Sequence, residues 1–232
     1  MNFSLLMITI IFALIGMVVS FVLKSKFSKY SRVPLRAGFS GKEIADKMLR
    51  AHGIYDVSIT CVPGQLTDHY NPTDKTVNLS PEVYEGRSIA AAAVAAHECG
   101  HAVQHATAYS MLSMRSKLVP IVNFSNNILH WVFMLGFLGM AFGMLNNYYV
   151  LVGIIVLQSI VTLFSLVTLP VEIDASRRAL AFVETSRITQ SEEEYHGAKD
   201  ALTWAGLTYF VAALASIAQL TYFILRLNSR RS

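Results

Sequence analysis

The sequence holds only two cysteines, Cys61 and Cys99, and no C-x-x-C pair. That excludes a disulfide framework and a cysteine-rich zinc site; a single Cys61 to Cys99 bond is the most that could form. Charge is also scarce. Charged residues make up 15% of the 232 positions and hydrophobic ones 53%, a balance too apolar for an ordinary soluble domain. The scarcity is localised: residues 1–23 carry no charged side chain, and Leu118 to Val171 contain no Asp, Glu, Lys or Arg. The first stretch also lacks the basic start and small-residue cleavage site of a signal peptide, so it reads as a retained anchor. Within 118–171 only His130 could titrate near neutrality, which argues against a metal transporter with charged groups lining its spans. No internal repeat or low-complexity segment is visible.

What remains in those stretches is long enough to cross a bilayer, at 1.5 Å per helical residue against a core of roughly 30 Å. The 118–171 run divides at Asn146-Asn147 into spans of about 120–144 and 148–170, with Tyr148 and Tyr149 suited to the headgroup layer. Gly139 and Gly143 form a G-x-x-x-G pair that favours close packing, within the span hairpin or between copies in a homo-oligomer. A fourth charge-free run, 201–225, reads as a span or as a buried helix. The expected division is an anchor at 1–23, a cytoplasmic part at 24–117, a span hairpin at 118–171, a further segment at 172–200, a fourth span at 201–225 and a basic tail at 226–232. Basic residues after the first span (Lys24, Lys26, Lys29, Arg32, Arg36), before the second (Arg115, Lys117) and after the third (Arg177, Arg178) place 24–117 and 172–200 in the cytoplasm; Arg226, Arg230 and Arg231 disagree if the fourth span crosses. With a net charge of +4 gathered at span ends, a lipid bilayer is the expected partner and nucleic acid is not.

Between the anchor and the second span, Ser40 and Glu43 have capping-box spacing before Ile44, Met48 and Leu49, predicting a helix over 40–53 that ends at Gly53. Val57–Val62 alternates as a strand, and Leu66–Tyr70 and Thr76–Leu79 flank Asn71-Pro72-Thr73-Asp74 as a hairpin. The hairpin is the candidate edge for holding an extended substrate by main-chain hydrogen bonds, although a purely structural hairpin accounts for it as well. Thr189 with Glu192, or Ser191 with Glu194, has the spacing to cap a helix leading into the last apolar run.

Residues 88–109, SIAAAAVAAHECGHAVQHATAY, combine a plausible N-cap, Ser88, with seven alanines between 90 and 102, so a helix is predicted. On it His97, Glu98 and His101 form H-E-x-x-H. Histidines four apart share a helix face and can reach one zinc ion, while Glu98 beside them can accept a proton from water. A pair of buried histidines satisfied by hydrogen bonds is the alternative. Gly100, costly in a helix, points to close packing against the backbone, and Cys99 turns away from the metal face. His105 continues the 97/101 face one turn on, about 6 Å along the axis, too far for an obvious fourth ligand. A catalytic zinc takes three protein ligands. Two crossings return the chain to the side it left, so in LPVEIDASRRAL, residues 169–180, Glu172 emerges on the same face of the membrane as His97 and His101. Glu172 is favoured as third ligand, with Asp174 as rival ligand or as a carboxylate holding a histidine N–H.

HECGHAVQH together with LPVEIDASRRAL, an N-terminal span and a two-span hairpin resembles the YugP-type neutral zinc metallopeptidases, a family of bacterial membrane proteins, over nearly the whole chain, including GQLTDHYNPTDKTVNLS at 64–80. More distantly, the second motif is similar to that of HtpX-like membrane proteases, in which the residue matching Glu172 is the ligand of a gluzincin and the position of Ser176 commonly holds Asp. The resemblance implies a protease of protein or peptide substrates with Zn2+ held by His97, His101 and Glu172. The expected fold is a mainly α integral membrane protein of about four transmembrane helices with a small α+β zincin-like domain. The expected function is a zinc endopeptidase of the bacterial cell membrane, with Glu98 as base and cleavage near the cytoplasmic surface; an inactive metal-binding scaffold is the alternative. For the oxyanion, His69, His105, Tyr109 and His196 are candidates by residue type alone.

Overall fold

The structure, a computed structural model, describes residues 3–137 and 147–229. The Gly139 and Gly143 pair, Asn146, Arg230 and Arg231 lie outside them. The described residues form α1 (Phe3–Ser31), α2 (Gly41–Ala51), β1 (Ser58–Cys61), β2 (His69–Asn71), β3 (Thr76–Leu79), α3 (Pro81–Tyr84), α4 (Ile89–Ala106), α5 (Ser110–Phe137), α6 (Tyr148–Thr185) and α7 (Glu192–Asn228). The protein is mainly α. Four helices, α1, α5, α6 and α7, are long and apolar enough to cross a membrane.

The chain divides into two compact units. One gathers the described residues of Met1–Val18, Ser113–Leu169 and Thr208–Ser232. Its interior is thin, built around Leu5, Leu129, Leu151, Ile154 and Phe223, and large apolar side chains such as Phe3, Phe124, Trp131 and Val156 stand exposed, as befits helices whose solvent is lipid. Some polar groups within it are tied to backbone: Thr162 Oγ1 donates to the Ser216 carbonyl at 3.2 Å.

The other unit, Val19–Leu112 with Pro170–Leu207, holds the small sheet and the metal helix. Here α4 is the centre. Its alanines are almost fully buried against Ile44, Met48 and Leu49 of α2, Val77 and Leu79 of β3, Val83 of α3 and Phe182 and Val183 of α6. Ser88 caps it, its Oγ accepting from Ala91 N–H. The capping box of α2 forms in full between Ser40 and Glu43, and Gly53 closes that helix with φ of +70°. β3 lies between β1, parallel to it, and β2, antiparallel to it, so β2 is an edge.

Three features differ from expectation. The first hairpin strand spans only His69–Asn71: Leu66 takes a left-handed φ of +56°, and Asp68 turns its carboxylate onto the Ser80 N–H at 2.7 Å. The third span is expected over 148–170, but its helix is much longer than the span. α6 runs on to Thr185, because Val171, Ala175 and Ala179 behind the proline are packed in the core, which outweighs the one backbone bond that proline forfeits. Ser191 Oγ does accept from Glu194 N–H, but the Glu194 carboxylate returns to the N–H groups of Gln190 and Arg36, so the second box is half formed.

Candidate metal centre

Two helices build the site. α4 presents His97 and His101 on one face, and α6 presents Glu172; the ligand atoms of the three lie within 4.8 Å of one another. Glu172 Oε2 stands 3.3 Å from His97 Nε2 and 3.6 Å from His101 Nε2. Two ligands of a tetrahedral zinc at about 2.0–2.1 Å are themselves roughly 3.3 Å apart, so this donor set fits a zinc ion. Glu172 is buried, and so is His101.

The close approach of the two helices rests on a missing side chain. A Cβ built on Gly100 would sit 2.6 Å from the Ala175 carbonyl oxygen, so glycine between the two histidines lets the backbone of α6 come near enough for Glu172 to reach them.

The second ring nitrogen of each histidine is engaged. His97 Nδ1 lies 3.1 Å from Ser176 Oγ and His101 Nδ1 lies 3.0 Å from Gln104 Oε1; with Nε2 given to a metal, each Nδ1–H donates to that oxygen. Such bonds fix ring orientation and leave Nε2 as the coordinating atom. Gln104, fully buried, passes the constraint on: its amide donates to the Val171 carbonyl at 2.8 Å and to Asp174 at 2.9 Å. Asp174 is therefore occupied. Arg178 and Arg177 donate to it at 2.6 and 3.1 Å, and it reaches His101 only through Gln104. Burial disfavours a charged His101, but the adjoining Glu172 carboxylate and the Glu98 charge outweigh it and raise the pKa above the ordinary value.

Glu98 is buried beside the triad, and one of its carboxylate oxygens accepts from Tyr70 N–H of the edge strand β2 at 3.0 Å. The Tyr70 hydroxyl meets His105 Nδ1 at 2.7 Å. Tyr70 thus ties the strand to α4 twice, once through the backbone and once through the ring. His105 is engaged there and is not a member of the triad. Of the other oxyanion candidates, His69 is held by the Thr67 carbonyl and the Asn78 amide, Tyr109 lies under the Arg178 guanidinium, and His196 pairs with Glu192 on an exposed turn of α7. Cys99 packs in the core with its thiol pushed far up by burial; both cysteines are free. Gln104 and Tyr70 were not singled out by sequence. Gln104 carried a weak signal, lying one turn after His101, while the contribution of Tyr70 to Glu98 comes from its backbone and carries none.

Comparison with known proteins agrees with this chemistry. Residues 5–228 match the family described as "Putative neutral zinc metallopeptidase". The chain is 44% identical over 206 residues to the "Putative membrane protease YugP" of Bacillus subtilis (strain 168), covering 88% of each protein. No solved structure matches it. A match of this extent, on a chain with four membrane-length helices and a zinc-compatible cluster, makes it a membrane protein of the neutral zinc metallopeptidase family, with zinc as its cofactor.

Proposed function

We propose that the protein is a multi-pass, zinc-dependent endopeptidase of the H-E-x-x-H type that cuts peptide bonds near the cytoplasmic face of the membrane. The observation that carries it is the convergence of His97, His101 and Glu172 from two helices, with Glu98 beside them. His97 and His101 would hold zinc through Nε2, and Glu172 through its carboxylate, as in a gluzincin. When bound, the metal supplies Lewis acidity, polarising a carbonyl and making water acidic near neutral pH. Glu98 accepts the proton of the attacking water and returns it to the leaving amine. Tyr70 N–H orients that carboxylate. β2, the edge strand beside Glu98, is the candidate for holding an extended substrate by main-chain hydrogen bonds. Because Glu172 follows the apolar run of α6 so closely, the preferred substrates are membrane-associated chains cut near the lipid surface.

One assay tests both parts. The reconstituted wild type and Glu98→Gln are given one unfolded segment, either free or tethered to a membrane anchor. Glu98→Gln should keep its zinc and lose on the order of 10³-fold or more in turnover, and the wild type should favour the tethered segment at matched effective concentration. Near wild-type turnover by Glu98→Gln removes it as base, and equal cutting of both substrates removes the membrane preference. A wild type that binds zinc and cuts neither is a metal-binding scaffold.

A further inference from the structure

A cavity of about 740 Å³ opens elsewhere in the sheet-containing unit, between the end of α1, the loop before β2 and the approach to α4. Lys24 and Arg32 of α1 line it, with Phe27 between them on the same wall. Among the described residues neither the Lys24 nor the Arg32 side chain has an ion-pair or hydrogen-bond partner. Other charges nearby are matched: Lys26 pairs with Asp200 at 2.7 Å, and Arg87, at the far wall, pairs with Glu43 at 3.0 Å. At the start of α4, Ile89 N–H is used by the Val33 carbonyl and Ala91 N–H by Ser88, so the charged groups open to an anion are the two α1 cations.

Their position along α1 identifies the kind of anion. Lys24 is the first charge after an uncharged run whose helical part, Phe3 to Leu23, is about 30 Å long, the thickness of a hydrocarbon core. The cavity thus begins where an apolar span ends, at headgroup level. Leu66, 46% exposed in a left-handed conformation, adds an apolar lip beside it. Glu82 also lines the cavity and accepts from Gln65 at 2.7 Å. Its charge discourages a doubly charged phosphate and suits a singly charged phosphodiester whose hydroxyl or ammonium group can donate to it.

We propose that this cavity binds the phosphodiester headgroup of a bilayer phospholipid, with Lys24 and Arg32 as its cations. The site does not depend on the peptidase reading; it anchors the sheet-containing unit to the lipid surface through α1.

The test uses the full chain, stripped of lipid in detergent and offered phosphatidylglycerol, with native mass spectrometry counting retained lipid. Wild type and Lys29→Gln, which removes a neighbouring charge outside the cavity, should each retain one lipid per chain. The double variant K24Q/R32Q should lose on the order of tenfold in occupancy, the effect of removing two charge-assisted bonds, with zinc content and helical signal unchanged. Should the double variant fail to accumulate, the single variants K24Q and R32Q are read instead, each expected to lose roughly threefold. Inorganic phosphate in large excess should not displace the lipid. Undiminished retention by the variants, equal loss in Lys29→Gln, or displacement by free phosphate overturns the proposal.

Discussion

α4 brings two histidines and a carboxylate to the candidate metal centre within His97–His101, whereas α6 brings Glu172 alone, from beyond the charge-free run of 118–171. The two contributions are stabilised differently. α4 is positioned by burial: alanine after alanine is closed in by α2, α3 and β3, so the helix cannot rotate without opening the core. The α6 segment around Glu172 is positioned by polar contacts as well as packing, with Asp174, Arg178, Gln104 and Ser176 linking it to both histidines. A local motif therefore fixes the geometry within one helix, and a buried hydrogen-bond network fixes the distance between two.

The largest way to break this pairing is to remove Glu172, the ligand proposed from α6. Glu172→Ala should lose zinc or hold it far more weakly, while Asp174→Ala keeps most of its metal because Asp174 contacts the arginines and Gln104 instead of the histidine nitrogens. Metal titration of the two purified variants decides between them. A variant lacking Glu172 that binds zinc normally, beside an Asp174 variant that does not, would transfer the third position to Asp174.

Next in size are the groups behind the histidines. Gln104→Ala and Ser176→Ala each leave a ring N–H without its partner, and such losses cost about 10–100-fold in metal affinity or activity. Gln104→Ala should be the more damaging of the two, since it also removes the amide that donates to the Val171 carbonyl and to Asp174. Zinc competition with a chelator measures both. Equal affinity in Gln104→Ala and wild type would show that α4 orients His101 unaided.

These contacts mark where the sequence stops being informative. The H-E-x-x-H helix, its Ser88 cap, the Ser40 and Glu43 box and the hairpin turn were legible because each is set by neighbours within a few residues. The four membrane-length helices were legible from missing charge. Glu172 was singled out by counting crossings and by the resemblance of its motif. The full length of α6 was not legible, since the charge-free run ends at Val171 while the packing of Val171, Ala175 and Ala179 that carries the helix past Pro170 is tertiary. Gln104 was hidden for the same reason: two of its partners, Val171 and Asp174, lie on another helix, and glutamine has no chemistry of its own that demands them.

Gly100 sharpens the comparison further, because it sets the spacing of the two helices without touching the metal. In Gly100→Ala the added Cβ would meet the Ala175 carbonyl oxygen at 2.6 Å, so α6 must move outward. Alanine is the better helix former by roughly 1 kcal/mol, yet overpacking of this kind costs about 1–3 kcal/mol. The expected outcome is a lower melting temperature together with weaker zinc binding. Thermal melts with and without zinc test it; a variant more stable than wild type with unchanged affinity would mean the helices need not approach so closely.

The smallest effect is a pH dependence that involves both helices at once. In the metal-free protein, burial alone would keep His101 neutral, but the Glu172 carboxylate and the charge of Glu98 raise its pKa. A group whose folded pKa lies above its unfolded value of about 6.5 contributes stability that is fully present below that value. That contribution disappears as pH rises through the raised folded pKa. Zinc binding runs the other way, because the ligand must be the neutral imidazole. Metal-free protein should therefore melt at progressively lower temperature as pH is raised across this window, whereas zinc-loaded protein should lose its metal as pH is lowered through it. Glu172→Gln keeps the shape of the side chain and removes its charge, so the metal-free slope should flatten. A slope that survives this substitution unchanged would place the stabilising charge on α4, with Glu98, and leave α6 without an electrostatic hold on the histidine.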